Sequence, residues 1–157
     1  MKVMDKEDKQ LIAAVNQNYA HANQYLHYGM DIQPQVTWAS AAGGRFIAEW
    51  LVTDEHIGAS GCVDEGCLAT VTDNTTAMLI ASIHGNKSVS TSITVQAVAP
   101  VQAGTVVEIN CSISDRNARQ PHAKAVFRVK DNPTKVIAVG THTKFFKPIL
   151  TESQPHL

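Results

Sequence analysis

Aromatic residues make up only 6% of this 157-residue chain, and the formal net charge is −1. With few stacking platforms and no basic stripe, a nucleic-acid surface is not expected. No low-complexity segment, block of like charge or internal repeat is present. Cysteine is scarce: Cys62, Cys67 and Cys111 cannot all pair with one another, and their spacing matches no zinc motif. This predicts no metal centre and a reducing, intracellular setting, cytoplasmic or mitochondrial. The amino end, "MKVMDKEDKQ", has the pattern of neither a signal peptide nor an Arg-rich transit peptide. The longest apolar segment is interrupted by Asp73 and is rich in Thr, so no membrane span is expected.

What is present is an ordinary soluble profile, 44% hydrophobic and 17% charged residues. The length predicts one domain over 1–157, with an N-terminal helix inside 1–30 and a core over 45–147. Leu11, Val15, Tyr19, Ala22 and Leu26 recur at spacings of three and four, predicting a helix from about Asp5 to His27 with Gly29 as its stop. "RFIAEWLV" alternates as a strand after a Gly43-Gly44 turn. Four further strand-like runs follow residue 87: "SVSTSITVQAV", "TVVEINCSI", "AKAVFRVK" and "KVIAVGTHTKFF". They are separated by "APVQAG", "DRNARQP" and "DNPT", each rich in turn formers, and the tail after Pro148 reads as frayed. Strands joined by short loops favour an antiparallel sheet, giving an α+β class.

Between them lies Val63–Gly85, apolar or neutral from Gly66 to Ile83 except for Asp73. Asp64 fits an N-cap and Gly85 a C′ position, so the segment predicts a long helix. A helix this apolar must be surrounded, which suits a sheet curled around it. Leu68, Val71, Thr75 and Met78 form its bulkier face, expected against the sheet. Gly66, Ala69, Thr70, Asp73, Thr76, Ala77 and Ile80 form a smaller face, open to another backbone, subunit or ligand. Asp73 is then either a polar residue satisfied by Thr70 or Thr76 or a carboxylate raised in pKa and able to act as base or nucleophile. Cys67, in the first turn, reads as core filler, and His56 and His84 as packed or surface histidines.

"EHIGASGCVDEGCLATVTDN" and "VGTHTKFF" resemble the hotdog-fold acyl-CoA thioesterases of the phenylacetate-degradation and animal medium- and long-chain types. The likeness runs from about Ala48 to Phe146. It implies a curved antiparallel sheet wrapped around the central helix, and Asp73, followed by Asn74, as base or nucleophile. It further implies Ser88 as the residue that orients water or thioester, and the amides near Glu65 and Gly66 as donors to the carbonyl oxygen. Arg116, Arg119 and Lys144, with Lys87 behind them, become candidates for the phosphates of coenzyme A. The acyl-CoA is then substrate, with no separate cofactor. The resemblance also implies an active site between subunits of a homodimer or a dimer of dimers.

Three positions depart from the family pattern: Gly58 replaces an Asn, and Asp64-Glu65-Gly66 replaces a His-Gly-Gly triplet. A carboxylate about 4 Å from the developing oxyanion costs on the order of 4 kcal/mol at an effective dielectric near 20, roughly a thousandfold in rate. Asp64 or Glu65 as a replacement acid or base is one reading of the change. A non-catalytic hotdog that binds an acyl-CoA or another ligand, or serves as a structural subunit, is the alternative function.

Overall fold

An aspartate and a glycine bound the longest helix. In the computed structural model, which describes residues 4–22, 32, 34–85, 87–117 and 119–146, Asp64 caps α2 (Glu65–His84) by accepting a hydrogen bond from the Gly66 amide at 2.8 Å. At the other end Gly85 takes φ +88° and donates its N–H to the Ala81 carbonyl, a conformation that favours glycine. Three threonines fit this helix because their hydroxyls bond back to carbonyls one turn earlier: Thr70 to Gly66, Thr75 to Val71 and Thr76 to Thr72; a fourth, Thr72, is fully buried.

The other elements are α1 (Lys6–Ala22), β1 (Gln35–Ser40), β2 (Arg45–Leu51), β3 (Ser88–Ala97), β4 (Val106–Asp115), β5 (His122–Val129) and β6 (Asn132–Phe146). A short 3-10 turn, Asp54–His56, precedes α2. The six strands form one sheet in the order β1-β2-β4-β5-β6-β3, every pairing antiparallel. The β1–β2 hairpin turns at Gly43-Gly44 as expected, with Gly44 at φ +57°. Strand β1 precedes the expected start of the core at Arg45 and belongs to the same sheet. "DNPT" is not wholly a loop: the β5–β6 turn is tight, and β6 already begins at Asn132. The expected continuation of α1 through Leu26 and His27 to Gly29, and the tail after Pro148, lie outside the described residues.

Two apolar clusters hold the sheet to the helices. One gathers Trp50, Leu68, Val71, Val107, Ile109, Phe127 and Ile137 around the first half of α2. The other gathers Leu11, Val15, Phe46, Ala48, Leu79 and Cys111, so that α1 closes over the second half. Each fully buried Leu or Phe contributes roughly 2–3 kcal/mol. The buried face of α2 is broader than the pattern suggested. It includes Thr72, Thr76 and Ile80, all 0% exposed, while Met78 is only half-buried. The helix touches β3, β4, β5 and β6; the sheet curves around it, which is the arrangement the resemblance implies.

Gly140 explains how closely α2 can lie on β6. A Cβ at this position would collide with the Thr72 side chain. One step along, Thr76 meets His142. Four helical residues rise about 6 Å and two strand residues about 6.6 Å, so the pairs Thr72–Gly140 and Thr76–His142 stay in step.

Candidate active site

That alignment places one polar cluster between α2 and the sheet edge. α2 supplies Asp73 and Thr76, β6 supplies His142 and Lys144, and β3 supplies Ser90, which lies opposite Lys144 in the β3–β6 register. Ser90 Oγ is 3.0 Å from His142 Nε2 and accepts a hydrogen bond from Lys144 Nζ at 3.2 Å. His142 Nδ1 is 2.6 Å from Thr76 Oγ1, and Asp73 Oδ1 is 3.6 Å from Nε2.

The directions of these bonds follow from the helix. Thr76 Oγ1 is 2.6 Å from both the Thr72 carbonyl and His142 Nδ1; we assign its one proton to the carbonyl, so that its oxygen accepts from His142 and Nδ1 carries the imidazole proton. Nε2 is left as a lone pair and accepts from the Ser90 hydroxyl. The result is a directed chain from Lys144 through Ser90, His142 and Thr76 to a backbone carbonyl.

The electrostatics keep the ring neutral. Burial, aided by the Lys144 charge, lowers the His142 pKa from 6.5 to about 4, so the ring is neutral near pH 7. Its contact with Asp73 is therefore not an ion pair. Burial raises the Asp73 carboxyl above the usual range, partly opposed by Lys144. Burial likewise lowers Lys144, partly opposed by Asp73. Thr70 and Thr76, the hydroxyls expected to satisfy Asp73, bond to backbone carbonyls instead.

Ser88 does not join this cluster. It stands opposite Phe146, two residues before Ser90. Ser88 and Ser90 share one side of the strand, so alternation alone does not separate them. His142 escaped the sequence reading because it is 66 residues from Thr76. Its signal was a lone histidine on the inward side of the "VGTHTKFF" strand.

The helix entrance forms a separate group. Gly66 is seven residues before Asp73, about 10 Å along the helix axis. The Asp64 carboxylate occupies the Gly66 N–H, and a Cβ on Gly58 would approach Asp64 Oδ2 to 3.1 Å. Two of the departures from the family pattern are thus coupled, because an Asn side chain at 58 would press on the Asp64 cap. Glu65 is exposed and borders a cavity of about 320 Å³ whose walls include Val63, Leu68, Val98, Val101 and Ile137.

The expected phosphate ligands are dispersed. Arg116 donates from Nη2 to the Ala42 carbonyl at 2.7 Å, bracing the β1–β2 turn. Arg119 lies over the Phe145 ring, near the end of β6. Lys144 sits at the polar cluster, and Lys87 is exposed. His56 is buried, accepts at Nδ1 from the Thr53 amide and packs edge-on to Trp50. His84 lies beside Phe146. Cys67 packs against the core.

No family model matches the chain. Over 111 residues it is 30% identical to acyl-coenzyme A thioesterase 13 of Homo sapiens, an alignment covering 70% of this chain and 79% of that protein. Among solved structures, thioesterase superfamily member 2 of zebra fish superposes with a TM-score of 0.74 at 23% identity, covering 87% of this chain and 98% of the other. A hypothetical thioesterase of Streptococcus pneumoniae, crystallised with coenzyme A, superposes at 0.70 with 11% identity, covering 83% and 95%. The two superpositions establish the fold, and the alignment with the human protein establishes kinship. Among the described residues no helix is long and apolar enough to cross a membrane.

Proposed function

The chain belongs to the hotdog-fold acyl-CoA thioesterase family, and from that premise we propose that it hydrolyses an acyl-CoA to the free acid and coenzyme A, with Asp73 as base or nucleophile. The observation that carries this reading is a half-buried carboxylate of raised pKa facing Ser90, His142 and Lys144. Asp73 takes a proton from water, and the water oxygen attacks the thioester carbon. The C–S bond breaks, and the thiolate leaves beside the Lys144 ammonium and is protonated. Ser90 takes the orienting role expected of Ser88. Of the three basic candidates, Arg119 is best placed for a phosphate of coenzyme A, since Arg116 braces a turn and Lys144 faces the reacting group.

The Gly66 amide of the same copy is about 10 Å from Asp73 along the helix, too far to donate to an oxyanion formed there. We therefore place the helix entrance of a second copy opposite Asp73, in a homodimer or dimer of dimers. Strand β3 is an open sheet edge with Val89 51% and Ile93 38% exposed, a surface suited to a partner's strand. The second copy's apolar cavity beside Glu65 then lies near the thioester and suits the acyl group.

Asp64 supports a second reading. Its carboxylate fills the Gly66 N–H, where a thioester oxyanion would bind, as in a hotdog that binds acyl-CoA without turning it over. Thiol release from a panel of aliphatic and aromatic acyl-CoAs separates the two. Hydrolysis supports the first, whereas saturable binding without release supports the second. Light scattering that finds a 17.0 kDa monomer contradicts the shared site.

A further inference from the structure

The hydrogen-bond chain at the polar cluster holds more than a water-orienting hydroxyl needs. Ser90 is exposed, whereas His142 beside it is 1% exposed and held from its far side. A nucleophile, a base within hydrogen-bond reach and a third group that fixes the base's tautomer are the parts of covalent acyl transfer. Here they are Ser90, His142 at 3.0 Å and Thr76 at 2.6 Å.

We infer that Ser90, with His142 as its base, makes the first attack on the thioester and carries the acyl group as an ester before water releases it. The inference rests on the hydrolase reading above and divides its reaction into two steps. First, Ser90 Oγ bonds to the carbonyl carbon while its proton passes to His142 Nε2. The C–S bond breaks, and the departing sulfur takes that proton, leaving acyl-Ser90 and free thiol. Second, Asp73 draws a proton from water, whose oxygen attacks the ester carbon. The Ser90 oxygen leaves and is reprotonated, releasing the acid, so acyl-CoA and water give acid and thiol in balance.

Three features favour this division. The Ser90 hydroxyl lies 3.0 Å from His142 Nε2, within reach of direct proton transfer. Lys144 Nζ, 3.2 Å from Ser90 Oγ, stabilises a developing alkoxide. Asp73, on the opposite flank and half-exposed, is free to serve the water of the second step. An acyl-serine also passes its acyl group to nucleophiles other than water, so the chain would act as an acyltransferase toward small amines and alcohols.

The test is intact-mass spectrometry after acid quench of wild type, Asp73→Asn, Ser90→Ala and Ser90→Cys/Asp73→Asn, each mixed with octanoyl-CoA and phenylacetyl-CoA. The expected result is one acyl group on Asp73→Asn, mapped to Ser90, with about one equivalent of thiol released in a burst. Ser90→Ala carries no adduct, and the Cys variant carries its adduct at position 90. Added hydroxylamine diverts wild-type product to the hydroxamate. Thiol release by wild type with no adduct on either Asp73→Asn protein overturns the inference and leaves the hydrolase reading intact. So does an acyl group mapped to Asp73. No thiol release from either substrate by any of these proteins overturns both.

Discussion

Asp64 offers a substitution in which stability and rate move separately. Its side chain caps α2 through Gly66 and carries a negative charge where the account places an oxyanion. Asn caps a helix about as well as Asp, so Asp64→Asn should melt within a degree or so of wild type. It also removes a charge that, about 4 Å from the oxyanion and screened by water, opposes it by about 1 kcal/mol, or roughly fivefold in rate. Asp64→Gly removes both charge and cap. It should lose only a few tenths of a kcal/mol in stability and free the amide as an oxyanion donor. A full donor is worth about 10² or more in turnover, so Asp64→Gly should exceed Asp64→Asn. Asp64→Ala should lose about 1 kcal/mol of stability, a fall of about 2–4 °C in Tm at this chain length. The assays are thiol release from acyl-CoA and thermal melts on the same preparations. If Asp64→Asn and Asp64→Gly are no faster than wild type, the entrance of α2 does not face the oxyanion.

Other consequences follow from the buried interior. Gly140→Ala places a methyl against Thr72 and should cost about 1–3 kcal/mol, lowering Tm by several degrees, while Thr72→Ala in that background recovers part of the loss; full additivity in a double-mutant cycle would refute the contact. His142 is held neutral with a pKa near 4 in the fold against 6.5 when exposed, so between these values the unfolded chain binds more protons. Stability should therefore fall as pH drops from about 6.5 to about 4. Asp73, raised in the fold, opposes part of that loss by binding a proton more readily than in the unfolded chain. The drop should be smaller in His142→Gln, and an identical melt profile in that variant would contradict the buried neutral ring.

Much of the architecture was legible because it rests on local rules. The Asp64 cap and the Gly85 stop marked both ends of α2, and alternating residues with turn formers marked the strands from β2 onward. The face of α2 was harder to read. Thr72, Thr75 and Thr76 count as polar in a pattern, yet a helix lets Thr75 and Thr76 bond back to carbonyls and all three sit in the core. Asp73 was visible as the lone acid of an apolar segment. Its neighbours were not, because His142 and Lys144 meet it through the packing of α2 on β6 and Ser90 joins them through the β3–β6 register, long-range contacts that no local spacing encodes. The same register brings Ser90, and not Ser88, to His142 and Lys144. The Asp64 cap was legible from its place before the apolar run, whereas its link to Gly58 required the approach of that glycine to the Asp64 carboxylate.

The most direct measurement is the rate of thiol release from acyl-CoA by wild type and by Asp73→Asn at equal folded concentration. Asn preserves the size of Asp73 and most of its hydrogen bonding but removes the basic oxygen. The account predicts hydrolysis by wild type and a loss of about a hundredfold or more in steady-state turnover, with melting and assembly unchanged. Undiminished hydrolysis by Asp73→Asn would contradict it.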